Sequence, residues 1–440
     1  MNVTAEVFDT TACLALYTGM TQAPDLRGTA RRLFDAAITA ADPAQAVKRG
    51  FATAPLPPPK PGGRTFLIAI GKAAPAMLEA ALKAIPDAHA AVAVTHHENT
   101  ASLHGAEIWR AGHPVPDDAG AQAARHVTGL LSEAKEADRV VALISGGGSA
   151  LLPAPPVGVS LGEKARLNDL LLSAGLDIVK MNLVRQQVSR LKGGGFLRLA
   201  APAPVHAYLL SDVIGDDLRA IASGPTARSI GTAKDAISIL KNNGIWDATP
   251  PSIQSHLQKA QTVPIRHAPD ATNTLVGSNR MSLDAMMQAA QDLELNAKIV
   301  SDRLTGDVSD AARAVLSELT PKSETTALLF GGETTVRLSG SGRGGRNQEL
   351  ALRVAAGAPE TLTNWAFLSG GTDGRDGPTD AAGGLVDAGT LPRIAAAGKD
   401  AQALLFDNDS YTALAASGDL LMTGATGTNV ADVQVLLIAP

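Results

Sequence analysis

The stretch that most constrains this chain is Val140–Pro153, read VVALISGGGSALLP. Four apolar residues, Val140 to Leu143, predict a strand buried on both faces. The run then breaks at Ser145 into Gly146, Gly147, Gly148 and Ser149. Glycines at a strand exit leave backbone N–H groups open to an anion, because no Cβ blocks the approach. The same grammar returns as ALLFGGETT at Ala327–Thr335 and AFLSGGTDG at Ala366–Gly374. One such exit alone reads equally well as a tight turn. Three together predict a site made of loops at the carboxyl ends of parallel strands.

At 440 residues the chain exceeds one ordinary core, so two domains are expected. Only 3% of residues are aromatic, which leaves the core to Ala, Leu, Val and Ile. A net charge of −5 gives no reason to expect nucleic acid or an anionic membrane as a partner. An acidic small substrate would need locally placed Lys and Arg. The single Cys13 excludes an intramolecular disulfide and a thiolate metal cluster, which fits a reducing compartment. The apolar runs are too short for a membrane span, and residues 1–24 lack a basic start before their apolar part. A frayed tail over residues 1–24 and a cytoplasmic protein are the expectations.

In chain order, Leu26–Ala41 has helical spacing, and APLPPPKPGG at Ala54–Gly63 is a connector. Phe66–Ile70 is a strand, Gly71 turns the chain and Pro75 suits the first turn of a helix. Lys72 therefore stands at a strand-to-helix junction, where amides and a helix N-terminus favour anions, although a solvated lysine fits the same place. His113 lies between Gly112 and Pro114 in a rigid turn, where a histidine without a ligand is also common. Leu161–Ser173 and Leu176–Lys192 read as helices, the second stopped by Gly193–Gly195. The strand Val205–Leu210 exits into SDVIGDD, and Asp212, Asp216 and Asp217 gather where carboxylates often bind Mg²⁺. Asp217 reads as a capping residue.

After a soft boundary near Pro264–Asp270, strands and helices alternate afresh, including Thr335–Leu338 as a strand and Arg346–Ala355 as a helix. GSGRGGRNQEL at Gly340–Leu350 matches G-x-G-x-x-G, yet no acidic residue closes a strand about 20 positions later. Arg343 and Arg346 suit a phosphate or carboxylate better than a nicotinamide. Phosphoryl transfer needs glycine loops, cations on the transferred group and carboxylates for metal and hydroxyl. Lys72 and Arg346 supply the cations; Asp212, Glu333 and Asp373 supply the carboxylates. Neither a P-loop nor the protein-kinase motif set is present.

Taken together, ALISGGGSALL, SRLKGGG, LLSDVIGDD with SGPT, GGETTV, GGRNQEL and LSGGTDGRDGPTDAAGG resemble the class II glycerate 2-kinases, whose C-terminal domain is called MOFRL. The resemblance implies an α/β fold of two domains, a Rossmann-like α/β/α sandwich over 25–265 and a smaller α/β domain over 266–440, with the site in the cleft between them. It implies ATP-dependent phosphorylation of D-glycerate at the 2-hydroxyl, with Mg²⁺ required. It carries Lys72, Asp212, Glu333 and Arg346 as catalytic residues.

Phosphates of ATP are then expected at Ser145, Gly146, Gly147, Gly148 and Ser149, at Gly344, Gly345 and Asn347, and at Thr372, Asp373 and Gly374. Lys72, His113, Lys192 and Arg346 are candidates for the sugar acid, and Asp212 and Asp373 for Mg²⁺. Asp212 as proton acceptor or as metal ligand remains open at this stage. The partners are small molecules, without nucleic acid or membrane, and a homo-oligomer is compatible. Relatives have also been called hydroxypyruvate reductases, the alternative activity, which would use NAD(P)H.

Overall fold

The computed structural model describes residues 25–262 and 268–440. The tail expected over residues 1–24 and residues 263–267 of the boundary segment lie outside the described residues.

Six parallel strands form the first sheet: β1 Thr65–Ile70, β2 Ala90–His96, β3 Glu107–Ala111, β4 Arg139–Ile144, β5 Val205–Leu210 and β6 Thr272–Gly277, in the order β3-β2-β1-β4-β5-β6. Successive side chains leave a strand on opposite faces, so an unbroken apolar run needs cover on both. Phe66, Ile68, Ile70, Val140, Ala142 and Ile144 face the helix Asp118–Glu133. Leu67, Ala69, Val141 and Leu143 face the helices Pro43–Thr53 and Ala74–Ala84. The two central strands, β1 and β4, are buried at every residue, as the sequence predicts.

The remaining strands are β7 Asn296–Ser301, β8 Gly306–Asp307, β9 Thr326–Gly332, β10 Thr334–Thr335, β11 Trp365–Gly371, β12 Gly383–Asp387, β13 Leu420–Leu421 and β14 Asp432–Ile438. Six of them make a mixed sheet, β13-β12-β11-β14-β9-β7, in which β14 runs antiparallel to both β9 and β11. β9 and β11 therefore point the same way and bring their glycine ends level, on either side of the first residue of β14. The helix Leu26–Ala40 packs on this second sheet with the helix Asn279–Asp292, through Leu33, Phe34 and Ala37. β6, at 272–277, completes the first sheet, so sheet membership does not follow the 265/266 division.

Two further segments differ from expectation. The helix expected over Leu176–Lys192 spans Ile178–Gln187, and Gly193 and Gly194 take positive φ (54° and 75°) to launch a short helix, Gly195–Ala200. A left-handed pair cannot continue a helix, but it can start one in a new direction. The strand expected over Thr335–Leu338 is only the two-residue β10, because its one partner, β8, is equally short. Four helices, Leu161–Ser173, Ile178–Gln187, Ala233–Asn242 and Pro251–Ala260, share a small core of their own beside the first sheet. No described helix is long and apolar enough to cross a membrane.

Candidate active site

Strand order in the first sheet reverses between β1 and β4, and in sheets of this kind ligands enter at such a switch point. The exits of these two strands are fastened together. Lys72 N–H donates to Gly146 O (2.9 Å), Ala73 N–H to Ser145 Oγ (3.1 Å) and Ser145 N–H to Ile70 O (2.9 Å). Gly71 has φ of 127°, and a Cβ there would collide with Ser145. At Gly147 (φ 84°) a Cβ would lie 3.2 Å from both Lys72 Cγ and His113 Nε2. One at Gly146 would strike the Asp212 carboxylate. Lys72, His113 and Asp212 thus surround a turn that only glycine can make.

Asp212 follows β5, and its carboxylate receives no hydrogen bond from another described side chain. Burial raises its pKa, while its own amide and the Lys72 charge oppose the rise. Its charge reaches Glu333, on the loop after β9. Glu333 opens toward the gap between the sheets, yet surrounding protein raises its pKa first of all. Asp432, Asp212 and Asp373 add to that rise, and Arg346 resists it. A cleft of about 940 Å³ is lined by Asp212, Glu333 and Arg346 together with Gly344 and Gly345. A second cleft, of about 840 Å³, takes Lys72, His96, His113, Asp373 and Arg375.

Arg346 opens the helix Arg346–Gly357 and is not free. Its Nε and Nη2 donate to the two oxygens of Asp432, at 2.6 and 2.9 Å. Its Nη1 stands 3.2 Å from Glu333 Oε1. Burial works against the cation, but the Asp432 hydrogen bonds and the charges of Asp432 and Glu333 outweigh it, and Arg346 titrates above its ordinary range. Asp432 is fully buried at the start of β14, opposite Gly371 of β11 and Gly332 of β9. Sequence reasoning missed it, since no motif marks a strand's first residue as the arginine's partner.

Several expected phosphate contacts are committed inside the protein. Ser145 is buried, with its hydroxyl taken by Ala73. Asn347 is buried, its side-chain oxygen accepting from Ser369 Oγ at 2.6 Å and its amide donating to Asp376. Thr372 is buried, donating to Ala431 O (2.6 Å) and accepting from Val430 N–H (2.9 Å). These side chains hold the loops rather than line the clefts. Asp376, also missed, accepts from the amides of Asn347 and Gln348 at the helix start, and a Cβ on Gly345 would strike it. Burial lifts its pKa to about 6 against those amides. Gly374 takes the positive φ its turn requires, 84°.

His113 is held neutral, its pKa lowered to about 4 by burial and then by Lys72. Lys192 lies away from Arg346, its Nζ donating to Ser149 Oγ at 2.5 Å, and Ser149 Oγ meets Ser223 Oγ at 3.0 Å. Gly148 opens the short helix Gly148–Leu151 behind the turn.

Among the described residues no group of three His, Cys, Asp or Glu side chains stands close enough to hold a metal alone. Mg²⁺ at phosphoryl-transfer sites usually needs only one or two carboxylates beside water and phosphate. Asp212, unpartnered and in need of positive charge, fits that role. Asp373 fits less fully, since its Oδ1 accepts from Arg375 N–H at 3.0 Å.

Comparison with known proteins places the chain in a family. A family described as a domain of unknown function (DUF4147) matches residues 29–258, and the MOFRL family matches residues 326–432. A protein of Thermotoga maritima named D-glycerate 2-kinase is 41% identical, over 85% of this chain and 91% of its own length. A protein of Agrobacterium vitis with a provisional hydroxypyruvate reductase name is 38% identical, over 93% of each. A crystal structure titled as glycerate kinase from Thermotoga maritima superposes with a TM-score of 0.86 at 38% identity, covering 94% of this chain and 99% of that one. With relatives this similar over nearly their whole length, the chain belongs to the MOFRL-containing glycerate 2-kinase family.

Proposed function

We infer that this chain transfers the terminal phosphoryl group of ATP to the 2-hydroxyl of D-glycerate, giving 2-phosphoglycerate and ADP. The observation that carries the reading is that Asp212, Glu333 and Arg346 line one cleft, while Lys72, whose charge reaches Asp212, lines the second. Asp212, made more basic by burial, accepts the 2-hydroxyl proton as the oxygen attacks. A carboxylate whose pKa is raised toward the working pH is a better general base. Lys72 and the outer N–H groups of Arg346 neutralise charge on the moving phosphoryl, the larger part of such catalysis. Arg346 also orients Glu333, while Asp432 fixes Arg346. The amides of Gly146, Gly147 and Gly148 and the loops at Gly344–Gly345 and Asp373–Gly374 receive the nucleotide phosphates. Mg²⁺, held by Asp373 beside water and phosphate oxygens, would supply neutralisation of those phosphates and leave Asp212 free of metal to take the proton. A cytoplasmic setting, and two domains drawn by sheet with the site between them, complete the reading.

The test is to incubate the protein with D-glycerate, Mg²⁺ and ATP, and separately with hydroxypyruvate and NADH. ADP release that depends on D-glycerate is expected, without NADH oxidation. NADH oxidation without ADP release would install the reductase reading instead. Arginine pairs and unpartnered carboxylates give a hydride transfer little to act on, whereas phosphoryl transfer uses both.

A further inference from the structure

A cavity of about 300 Å³ adjoins the glycine turn and is lined by Gly147, Ser149 and His113. Its other wall carries three cations and one carboxylate, the exposed Asp169. Lys164 and Asn168 come from the helix Leu161–Ser173, Arg185 from Ile178–Gln187, and Lys192 from the loop that follows. Lys164 and Lys192 are only 9% and 5% exposed, and none of the three cations pairs with a described carboxylate. Their partners are neutral: Val188 O for Lys164 (3.1 Å), Ser149 Oγ for Lys192 (2.5 Å) and Asn168 Oδ1 for Arg185 Nε (2.9 Å). Burial, then the mutual repulsion of these cations, brings Lys164 down to about 8 and Lys192 well below the ordinary lysine range.

Buried charges without counter-ions are destabilising, and proteins tolerate them where a ligand supplies the opposite charge. Lys164 shares its helix face with buried Leu167 and Leu171, where an apolar residue would pack at no such cost. We propose that this pocket holds the carboxylate of the 2-hydroxy acid, so that Lys164, Arg185 and Lys192 select the acid substrate while the nucleotide occupies the larger clefts. This rests on the kinase reading given above. The cavity is at the bottom of the volume range of small-molecule sites, roughly 300–1,000 Å³, too small for a nucleotide beside its phosphates. The guanidinium of Arg185 matches a planar carboxylate in bidentate fashion. Leu161, Leu167 and Ala150 suit a short carbon chain. A carboxylate seated there leaves its neighbouring 2-hydroxyl near Gly147, beside Lys72 and Asp212.

The test compares wild type, Lys164→Met and Arg185→Gln in steady-state phosphorylation. It also titrates each calorimetrically with D-glycerate, and separately with inorganic phosphate, in the presence of a non-hydrolysable ATP analogue. We expect a 30-fold or greater rise in KM for D-glycerate, KM for ATP within threefold of wild type, and an unlowered Tm for Lys164→Met. A purely structural lysine would lower Tm and leave the KM ratio alone, which overturns the proposal. So does a rise in KM for ATP instead, or phosphate binding that both variants lose while D-glycerate binding persists. If Lys164→Met fails to fold, Asn168→Leu, which strips Arg185 of its holder, must show the same KM split. A wild type that binds D-glycerate, loses it in the variants and yet never turns over would sink the kinase reading and leave this pocket standing.

Discussion

Arg346, its side chain 33% exposed, and Lys192, which is buried, are cations of one molecule whose surroundings are opposite. Arg346 is clasped by Asp432 and Glu333, with two short, directed hydrogen bonds to a fully buried carboxylate. Lys192 has only Ser149 and two further cations for company. The first arrangement is complete by itself and holds a site in shape. The second is incomplete, and its missing charge is the kind a substrate brings. A buried cation with its partner in place speaks of architecture; one without speaks of a ligand.

Four measurements sharpen or break that contrast. Arg346→Ala should have the largest effect. Turnover should fall by roughly 10³-fold or more, as for other phosphoryl-contacting arginines. Asp432 would be left buried and alone, so urea unfolding should register a loss of about 3–5 kcal/mol. A variant with full activity and an unchanged midpoint would show that the Arg346–Asp432 pair is neither catalytic nor structural.

Asp212→Asn comes next, with kcat lowered by about 10²–10⁴, the usual share of a general base. Because Asp212 receives no hydrogen bond from a described side chain and burial penalises its charge, its melting temperature should not fall below wild type, in contrast to Arg346→Ala. Gly71→Ala tests the joint between the β1 and β4 exits. A φ of 127° is closed to alanine, and the added Cβ meets Ser145. The cost should be about 1–3 kcal/mol by chemical denaturation.

The smallest effect concerns pH. Lys164 is brought down to about 8 in the folded chain from an ordinary 10.5. Between those values the unfolded chain binds more protons than the folded one, so stability rises with pH there. The penalty of the buried charge is therefore present below about pH 8 and is relieved as pH approaches 10.5. Lys164→Met should exceed wild type in denaturation midpoint by most below pH 8, with the gap closing in alkali. A gap that widens with pH would contradict an uncompensated charge.

Much of the first sheet was legible because its logic is local. Val140–Leu143 is apolar without alternation, so it had to be covered on both faces, and Gly146–Gly148 had to end it. Lys72 and Asp212 were readable for the same reason, each following a strand by two residues. The buried Ser145, Asn347 and Thr372 were harder to judge. A polar residue beside a glycine loop looks the same in sequence whether it faces a ligand or ties the loop down, and only its hydrogen-bond partner separates the two. Lys164 did leave a trace, a lysine on the Leu167–Leu171 stripe, but long lysines on such stripes commonly reach back to water.

The sequence by itself determined the central strands of the first sheet, the glycine exits, the order of motifs and hence the family, because each depends on neighbours within a few positions. Only the tertiary structure decided that β14 enters between β9 and β11, setting Asp432 against Arg346 across 86 residues of chain. It alone decided that three cations from two helices and a loop share one cavity whose single lining carboxylate, Asp169, pairs with none of them. Charge is felt through space and weighted by burial, and neither distance nor burial is written along the chain.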